Sequence, residues 1–486
     1  MKKRITSIFI LLFMALSAYS APKHIDEDLK VFKKYMEQCY VAYDENVELG
    51  FDLNKTIKNI KKDFDREVKW AKKTNQKYSE DEVLAGRISY HLWKDLKVKD
   101  RHLTIRFSNG SYSVLYDERY YFTPLYFEKK GSDYFLLNNY GSEVKKGAKF
   151  DGDVSNLKKV IYNNQEVYQY IFPTTELNLK TVPIKLDKKE YKISAKENIR
   201  FDNSKNEKQV NSIKTKDSYY LSLGKFLKYN SEENSDYRKY LADIVDEFQK
   251  HPTHSNLIID LRSNTGGVSF SDKLLPSLYF FDDMAKIESY LNIIKLAEIG
   301  TKTLYSTEIL DYEIKKIEKN AKNESKTKLQ KLQNEYKKLA EKGGRYFEKS
   351  EYKANALLQE KPALFRGNTY LLVDKRTASA SEYLIAQSFL VDEEKIFIIG
   401  ENSRGSMDFG DIYEYELPNT KINLSLSRGE YKNTGLLSKN PKWHGDTKGF
   451  YPDYWATNET ILDTLVYLTK DEELRNVLSG LGKGQK

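Results

Sequence analysis

Ser379 is the residue whose type and surroundings most suggest chemistry. It lies in the segment Arg376–Glu382 (RTASASE), directly after an apolar run and at the predicted start of a helix. A serine there has its Oγ atom beside unpaired backbone N–H groups, which also favour a developing oxyanion. Ser379-x-x-Glu382 is also the pattern of a capping box, and the local sequence alone favours that structural role. A nucleophile therefore needs partners from elsewhere in the chain.

A second segment, Asp260–Gly267 (DLRSNTGG), ends an apolar run with polar residues and two adjacent glycines. Glycine allows two main chains to approach closely. The N–H group of Gly266 or Gly267 is therefore a candidate donor to a carbonyl oxygen, as half of an oxyanion hole. The simpler interpretation is a tight turn after a central strand.

His102 begins a stretch in which polar and apolar residues alternate. The alternation puts His102 on one face and Leu103, Ile105 and Phe107 on the other. An imidazole that titrates near neutrality is suited to take the proton from a serine hydroxyl and return it to a leaving amine. A lone histidine at the start of a strand more often fills the surface or the core.

The elements that would position these residues alternate strands with helices. Short apolar runs at Asn256–Leu261, Thr369–Val373 and Ile396–Ile399 are separated by helical stretches, which include Ser381–Phe389. Uninterrupted apolar strands of this length are typical of a sheet covered on both faces. The predicted fold class is therefore α/β.

A long charged segment, Leu310–Lys342, interrupts this pattern and contains no Gly or Pro. Its apolar residues recur at spacings of three and four, and the phase slips near Ser325. We expect one bent helix or a helical pair inserted at about 285–350. A solvated helix packed on its own domain is the simpler interpretation, and a lid or contact arm is the functional alternative.

The upstream chain changes from helices to strands. Amphipathic spacing predicts helices over Asp26–Tyr43, Leu53–Lys73 and Asp81–Leu96. From about Ser108 to Phe201, short runs rich in Tyr, Phe, Val and Ile with Gly and Asn turns predict strands. The expected parts are a leader at 1–20, a helical domain at 21–107 that ends in the His102 strand, a β-rich module at 108–201 and a core at 202–486.

The first 20 residues have the order of a secretory signal peptide. Lys2, Lys3 and Arg4 precede an apolar run at Ile8–Leu16, and small residues follow at Ala18-Tyr19-Ser20. The run is shorter than the roughly 20 residues that span a bilayer as a helix. We therefore expect export to a periplasm or the cell exterior, without stable membrane insertion.

Composition excludes several classes. Among 486 residues, 40% are hydrophobic and 13% aromatic, which argues against a disordered chain. The mean hydropathy of −0.68 argues against a multi-span membrane protein. A single Cys excludes an intrachain disulfide framework. The net charge of +9 is spread among alternating Lys and Glu, so it does not indicate a nucleic-acid partner.

No metal site or organic cofactor is expected. The His251-x-x-His254 pair is interrupted by Pro252, so both rings cannot extend from one regular helical turn. The remaining histidines show no metal-ligand spacing.

Four motifs together resemble the tail-specific, carboxy-terminal-processing serine peptidases and their tricorn-like relatives. They are Leu261–Gly267, Thr377–Glu382, Ile398–Gly405 and the closing Gly449–Asp453, in family order across roughly Ser218 to Asp453. The resemblance implies a crotonase-like (ClpP/crotonase type) core, often with a PDZ module upstream. Gly141–Phe150 is similar to a turn of PDZ domains, and an unrelated β insert is the alternative.

The resemblance also implies roles for individual residues. Ser379 would be the nucleophile, and the N–H groups of Ala380 and of Gly266 or Gly267 would form the oxyanion hole. The lysine base of the processing branch is replaced by Ser406, so a Ser-Lys dyad is absent. The tricorn-like branch uses histidine, and Asp100–Thr104 (DRHLT) resembles its Asp-x-His-Thr motif, which makes His102 the base.

The third member of the expected triad is a carboxylate just before Gly449–Asp453. Asp446 stands closest, where the relatives more often have Glu. His444 is an alternative polar contributor. For both residues, the role of an ordinary polar loop residue is equally compatible with the sequence.

The sequence thus predicts an exported serine endopeptidase that acts on a peptide or protein through an acyl-enzyme. The alternative is a catalytically inactive secreted binding protein on a peptidase-like core. A third possibility is an adaptor that acts through Leu310–Lys342. The sequence leaves open whether the chain forms a homo-oligomer.

Overall fold

The computed structural model describes residues 23–115, 118–198, 210–224, 226, 242–243, 245–248, 250, 254–267, 271–280, 283–319, 325–341, 343–351, 365–391 and 393–479. The chain divides into two compact units. The first comprises the described residues of Met1–Leu115, Gly300–Glu351 and Asp408–Lys432, and the second comprises those of Tyr116–Ile299, Tyr352–Met407 and Asn433–Lys486. The predicted leader lies outside the described residues, and the predicted domain boundaries stay a prediction.

The described residues contain twelve α-helices, numbered in chain order. They are α1 Lys23–Cys39, α2 Tyr43–Glu48, α3 Leu53–Lys73, α4 Glu80–Asp95, α5 Ser271–Phe280, α6 Met284–Ala297, α7 Thr307–Lys319, α8 Ser325–Glu341, α9 Ala380–Ser388, α10 Gly435–Ser438, α11 Ile461–Thr469 and α12 Glu473–Val477. In the described part of the chain, none of them is long and apolar enough to cross a membrane.

The strands are numbered in the same way. They are β1 Thr104–Phe107, β2 Gly110–Ser113, β3 Arg119–Lys130, β4 Asp133–Leu136, β5 Leu157–Tyr162, β6 Gln165–Thr174, β7 Thr181–Leu186, β8 Lys189–Ser194, β9 Lys196–Glu197, β10 Val210–Lys214, β11 Ser218–Leu223, β12 Asn256–Asp260, β13 Lys302–Ser306, β14 Arg345–Lys349, β15 Asn368–Val373, β16 Ile396–Gly400, β17 Phe409–Glu416, β18 Asn423–Glu430 and β19 Tyr454–Trp455.

The first unit packs amphipathic helices against a sheet. In α3 the buried residues Ile60, Phe64 and Val68 recur every four positions, and the Asp52 side chain caps the helix by accepting from the Lys55 N–H. The sheet has the order β14-β13-β18-β1-β2, with β17 also paired to β18. The three amphipathic helices that the sequence predicts are confirmed as α1, α3 and α4.

The charged segment Leu310–Lys342 belongs to the first unit and forms two helices, α7 and α8. The helical prediction is confirmed in its two-helix form. Leu310, Leu332 and Leu339 are buried together in a small core between them. The antiparallel strands β13 and β14, which the sequence analysis did not predict, lie directly before and after this helical pair in the chain.

The second unit is built around a mainly parallel sheet with the order β10-β11-β12-β15-β16-β19, in which only β10 runs antiparallel to its neighbour. Every residue of β12 is buried, as expected for a strand covered on both faces. Helix α11 covers one face, where its Ile461 and Leu465 pack with Ile258 and Leu372. The predicted α/β class is therefore confirmed.

The parallel arrangement brings three chain segments to one edge of the sheet. Strands β12, β15 and β16 are neighbours, and their carboxyl ends are Asp260, Val373 and Gly400. Loops that follow the carboxyl ends of adjacent parallel strands meet at the same edge. This is the edge at which Ser379 and the two adjacent glycines lie.

The second unit also contains the β-rich module. Its main sheet has the order β4-β3-β6-β5, with β9 paired to β3, and β7 and β8 form a separate hairpin. Phe127, Phe150 and Tyr170 belong to a core that this sheet and the hairpin share. The ion pairs of Glu197 on β9 with Arg119 and Lys375 connect the module to the turn after β15.

Candidate active site

Ser379 sits in a strained turn between β15 and α9. Its φ of 54° and ψ of −118° lie outside the regions that non-glycine residues ordinarily occupy. The turn begins at Asp374, whose carboxylate accepts hydrogen bonds from the N–H groups of Ser263, Arg376 and Thr377 at 2.9–3.1 Å. The same carboxylate therefore joins the serine turn to the glycine turn.

Glu382 stands behind Ser379 and is fully buried. Its Oε2 atom accepts hydrogen bonds from the Ser379 N–H, the Ser406 N–H and the Ser406 hydroxyl, each at 2.9 Å. Its Oε1 atom accepts from the Ser403 hydroxyl at 2.6 Å and the Gly405 N–H at 2.7 Å. Burial raises the pKa of Glu382, although these hydrogen bonds favour the carboxylate and oppose the shift.

The predicted glutamate side of a capping box therefore forms, but Glu382 does more than cap α9. It fastens the loop after β16 to the turn that carries Ser379. Ser406, which stands where the resemblance described above would place a lysine in the processing branch, is buried and belongs to this network. Its Oγ atom accepts from the Ser379 N–H at 3.0 Å while it donates to Glu382.

The glycine turn lies directly against Ser379. A Cβ atom added to Gly266 would stand 2.9 Å from both the Ser379 Cβ and the Ala380 N, and 2.6 Å from the Ala378 carbonyl oxygen. Asn264 holds the turn, because its carbonyl accepts from the Ala378 N–H and its Oδ1 atom accepts from the Gly266 N–H at 2.9 Å.

The two glycines differ in what their N–H groups do. The Gly266 N–H is engaged by Asn264, whereas no hydrogen bond within the described residues uses the N–H of Gly267. Gly267 is exposed, and a Cβ atom there would overlap the Phe226 carbonyl oxygen at 1.8 Å. Of the two, Gly267 therefore has the N–H that is open to a ligand.

A buried ion pair stabilises the start of this turn. The Arg262 Nη2 atom lies 2.6 Å from Asp260 Oδ2, and both side chains are almost fully buried. Arg262 also donates to Asn458 Oδ1, and the Tyr220 hydroxyl donates to Asp260 at 2.7 Å. Such hydrogen-bonded pairs fix one conformation of the buried backbone they attach to.

Asp446 lies in the second unit and contacts the loop after β16. Its Oδ1 atom accepts from the Met407 N–H at 2.9 Å, and the side chain is buried. His444, the alternative contributor, stacks on the Tyr451 ring with the ring centroids 3.9 Å apart. Burial lowers the pKa of His444, and Lys158 and Lys448 lower it further.

His102 lies in the first unit, in the turn that precedes β1. Its backbone N–H donates to Asp100 Oδ1 at 2.8 Å, and its side chain is largely buried, with 14% exposed. Asp100 is fully buried, and burial raises its pKa to about 6. In β1, Ile105 is buried and Arg106 is exposed, as the alternation predicts.

Within its second unit, the structure thus brings Ser379, Ala380, Gly266 and Gly267 together, and it attaches Asp446 to the adjoining loop. Within the described residues, no group of three His, Cys, Asp or Glu side chains could hold a metal ion. Sequence reasoning missed the role of Glu382 as the centre of a buried network. Its only sequence signal was the spacing from Ser379, which the cap already explained.

Comparison with known proteins gives one family match. Residues 219–453 match the model of Peptidase family S41. No curated protein matches the sequence significantly.

Among solved structures, the chain is similar to mature CPAF complexed with lactacystin, with 13% identity, a TM-score of 0.41, and coverage of 94% of this chain and 98% of that one. It is also similar to the photosystem II D1 C-terminal processing protease, with 13% identity, a TM-score of 0.32, and coverage of 93% and 97%. The tricorn protease gives 12% identity, a TM-score of 0.33, and coverage of 95% and 37%.

Proposed function

Because the chain belongs to peptidase family S41 through residues 219–453 and is a serine peptidase, we propose that it is an exported endopeptidase with Ser379 as nucleophile. The observation that carries this assignment is the strained turn in which Ser379 precedes α9 and adjoins the glycine turn. Such strain is found where a catalytic atom must be held in one position.

In the proposed mechanism the Ser379 Oγ atom attacks the peptide carbonyl carbon while a base takes the hydroxyl proton. The oxyanion that forms accepts hydrogen bonds from the Ala380 and Gly267 N–H groups. Two observations support this pair: Ala380 begins α9, where the backbone N–H has no intrahelical partner, and the Gly266 N–H is already bonded to Asn264. Collapse of the intermediate expels the amine and leaves an acyl-enzyme, which water then hydrolyses.

His102 is the proposed base, which protonates the leaving amine after it has deprotonated Ser379. Its largely buried side chain and its backbone bond to Asp100 support a fixed orientation. Asp446 is the proposed third member, because its bond to Met407 ties it to the loop that also contacts Ser379. With Ser406 in the lysine position, this chain fits the histidine-using, tricorn-like branch.

We also propose that the chain has a crotonase-like core and a PDZ-like module and that it is exported. A parallel sheet whose carboxyl edge carries the serine turn is compatible with a crotonase-like core, and the small sheet at β3–β6 with a PDZ-like module. The charge and apolar order of residues 1–20 supports export to the periplasm or the cell exterior. The substrate would be a peptide or protein.

A fluorophosphonate probe tests the nucleophile. We expect the full-length protein to be labelled at Ser379, and Ser379→Ala to lose labelling and peptide hydrolysis while its thermal melting stays unchanged. Ser438→Ala, at an exposed serine of the same unit, is the matched control and should label normally. Labelling that persists in Ser379→Ala contradicts the assignment, and a folded wild-type protein that never labels would favour the inactive binding protein.

The base is tested separately. His102→Gln should lower the hydrolysis rate by about 100-fold or more, in the range for a lost general base, whereas the control His24→Gln should not. If His102→Gln retains full activity, a different base operates.

A further inference from the structure

Two arginines flank Ser379, one on each of two segments that adjoin it. Arg376 lies in the turn that leads to Ser379, and Arg404 lies in the loop after β16. The backbone of each is fixed: the Arg376 N–H donates to Asp374 at 2.9 Å, and the Arg404 N–H donates to the Thr377 carbonyl at 2.8 Å. The residues on either side of Arg404 are held as well, because the Ser403 hydroxyl and the Gly405 N–H both donate hydrogen bonds to Glu382.

Both arginine side chains are half-buried, and within the described part of the chain neither forms an ion pair or a side-chain hydrogen bond. Their charges lie close enough to repel: burial lowers the pKa of Arg404, and Arg376 lowers it further. Glu382 attracts Arg404, but both of its oxygens are occupied by the Ser379 turn and the loop after β16.

Other partly buried arginines of the chain have carboxylate partners. Arg428 pairs with Asp411 and Glu313, and Arg119 pairs with Glu197. A half-buried guanidinium loses hydration, and proteins normally compensate for this loss with a carboxylate. At Arg404 the compensating anion is missing from the protein's own side chains that the structure describes.

We propose that Arg404, assisted by Arg376, binds a carboxylate of the peptide substrate beside the scissile bond. The planar guanidinium presents paired donors that match the two oxygens of a carboxylate. The proposal rests on Ser379 being the nucleophile, since this defines where the scissile bond lies. It makes Arg404 a specificity-determining residue that selects peptides with an Asp or Glu side chain, or a free C-terminal carboxylate, near the cleavage position.

Binding to the full-length Ser379→Ala protein tests the proposal without requiring turnover. Fluorescein-labelled peptides are compared in two matched sets by fluorescence anisotropy. One set has Glu or Gln at a single internal position with an amidated C-terminus, and the other has Gln throughout with a free or amidated C-terminus. The first set reports side-chain recognition, and the second reports recognition of the chain end.

In at least one set, the acid is expected to bind about 10-fold more tightly than its amide, as a charge-assisted bidentate contact provides. Adding Arg404→Gln should bring the ratio of the two dissociation constants close to one, and Arg404→Lys should retain part of it. Arg366→Gln, at an exposed arginine of the same unit, is the control and should leave the ratio unchanged. Raised salt should reduce the ratio.

Equal binding of acid and amide in both sets, or no binding of any peptide, overturns the proposal, as does a ratio that survives Arg404→Gln. The outcome separates from that of the nucleophile test. If the probe labels Ser379 but the binding ratio is one, only the specificity assignment fails. If the ratio holds but Ser379 is not labelled, the catalytic proposal fails and carboxylate binding stands.

Discussion

The Glu382 carboxylate holds the backbone of Ser379 through a hydrogen bond of 2.9 Å from the Ser379 N–H to Oε2. The same oxygen also accepts from Ser406, so a single buried group sets both the serine turn and the loop beside it. The geometry of the nucleophile therefore depends on a residue that need not touch the substrate.

Glu382→Ala should destabilise the protein by about 3–5 kcal/mol, because five donors lose their acceptor inside the protein. Glu382→Gln should also be destabilising, since its NH₂ group would face N–H donors. Thermal melting measures the loss, and Glu393→Gln, at an exposed glutamate, is the control. A Glu382→Gln protein with wild-type melting and activity would contradict the role given to this network.

Gly266→Ala should impair both stability and catalysis. At φ of 88° an L side chain is strained, and its Cβ would meet backbone atoms of Ala378 and Ala380 at 2.6 and 2.9 Å. We expect the free energy of unfolding to fall by about 2 kcal/mol or more. Peptide hydrolysis should fall about 100-fold, because the collision would displace the proposed oxyanion donor at Ala380.

Gly50→Ala is the matched control for that variant. Gly50 has φ of 94°, but nothing lies within 4 Å of an added Cβ. Gly50→Ala should therefore lower the free energy of unfolding through backbone strain alone, without a collision. If the two variants melt alike and hydrolyse peptides alike, close packing at Gly266 has no functional consequence.

Asp100 should make the stability of the folded protein depend on pH. Its pKa is raised by burial from 3.8 to about 6, so the folded state holds the proton more tightly than the unfolded state. The stabilisation is fully present below pH 3.8 and is lost as the pH rises through about 6. The melting temperature of Asp100→Asn minus that of wild type should therefore rise from pH 4 to pH 6 and stay constant above pH 7. A difference that is constant from pH 4 to pH 8 would contradict this.

Cys39 should be inert in the folded protein. It is 1% exposed, and burial raises its pKa to about 12, so almost no thiolate forms at pH 8. Iodoacetamide followed by mass spectrometry should show no adduct on the native chain and complete modification in denaturant. Rapid stoichiometric labelling of the native chain would contradict the buried position.

Elements with strong local patterns could be predicted from the sequence. The apolar runs became β12, β15 and β16, and the predicted helix Leu53–Lys73 is α3 with the same bounds. Local periodicity suffices there because each pattern matches one kind of element. The helical pair at α7 and α8 was also visible, since the predicted phase slip near Ser325 coincides with the first residue of α8.

Non-local pairing could not be predicted. Strands β13, β14, β17 and β18 are short or rich in charged residues, and they gain their order from partners that are distant in sequence, such as Thr104 beside Ser425. The same holds for the site. Ser379 was visible from its motif. The many donors around Glu382, and an Arg404 side chain that has no ion-pair partner among the described residues, appear only when three loops meet at one edge of the sheet.

The pairing of β1 with β18 has a consequence for how the chain folds during synthesis. The first unit's sheet needs residues 423–430, so it stays incomplete until residue 430 has been made. At ribosomal rates of about 5–20 residues per second, β1 waits on the order of tens of seconds for its partner. Fragments that stop before β18 should therefore leave one edge of β1 unpaired and prone to aggregation.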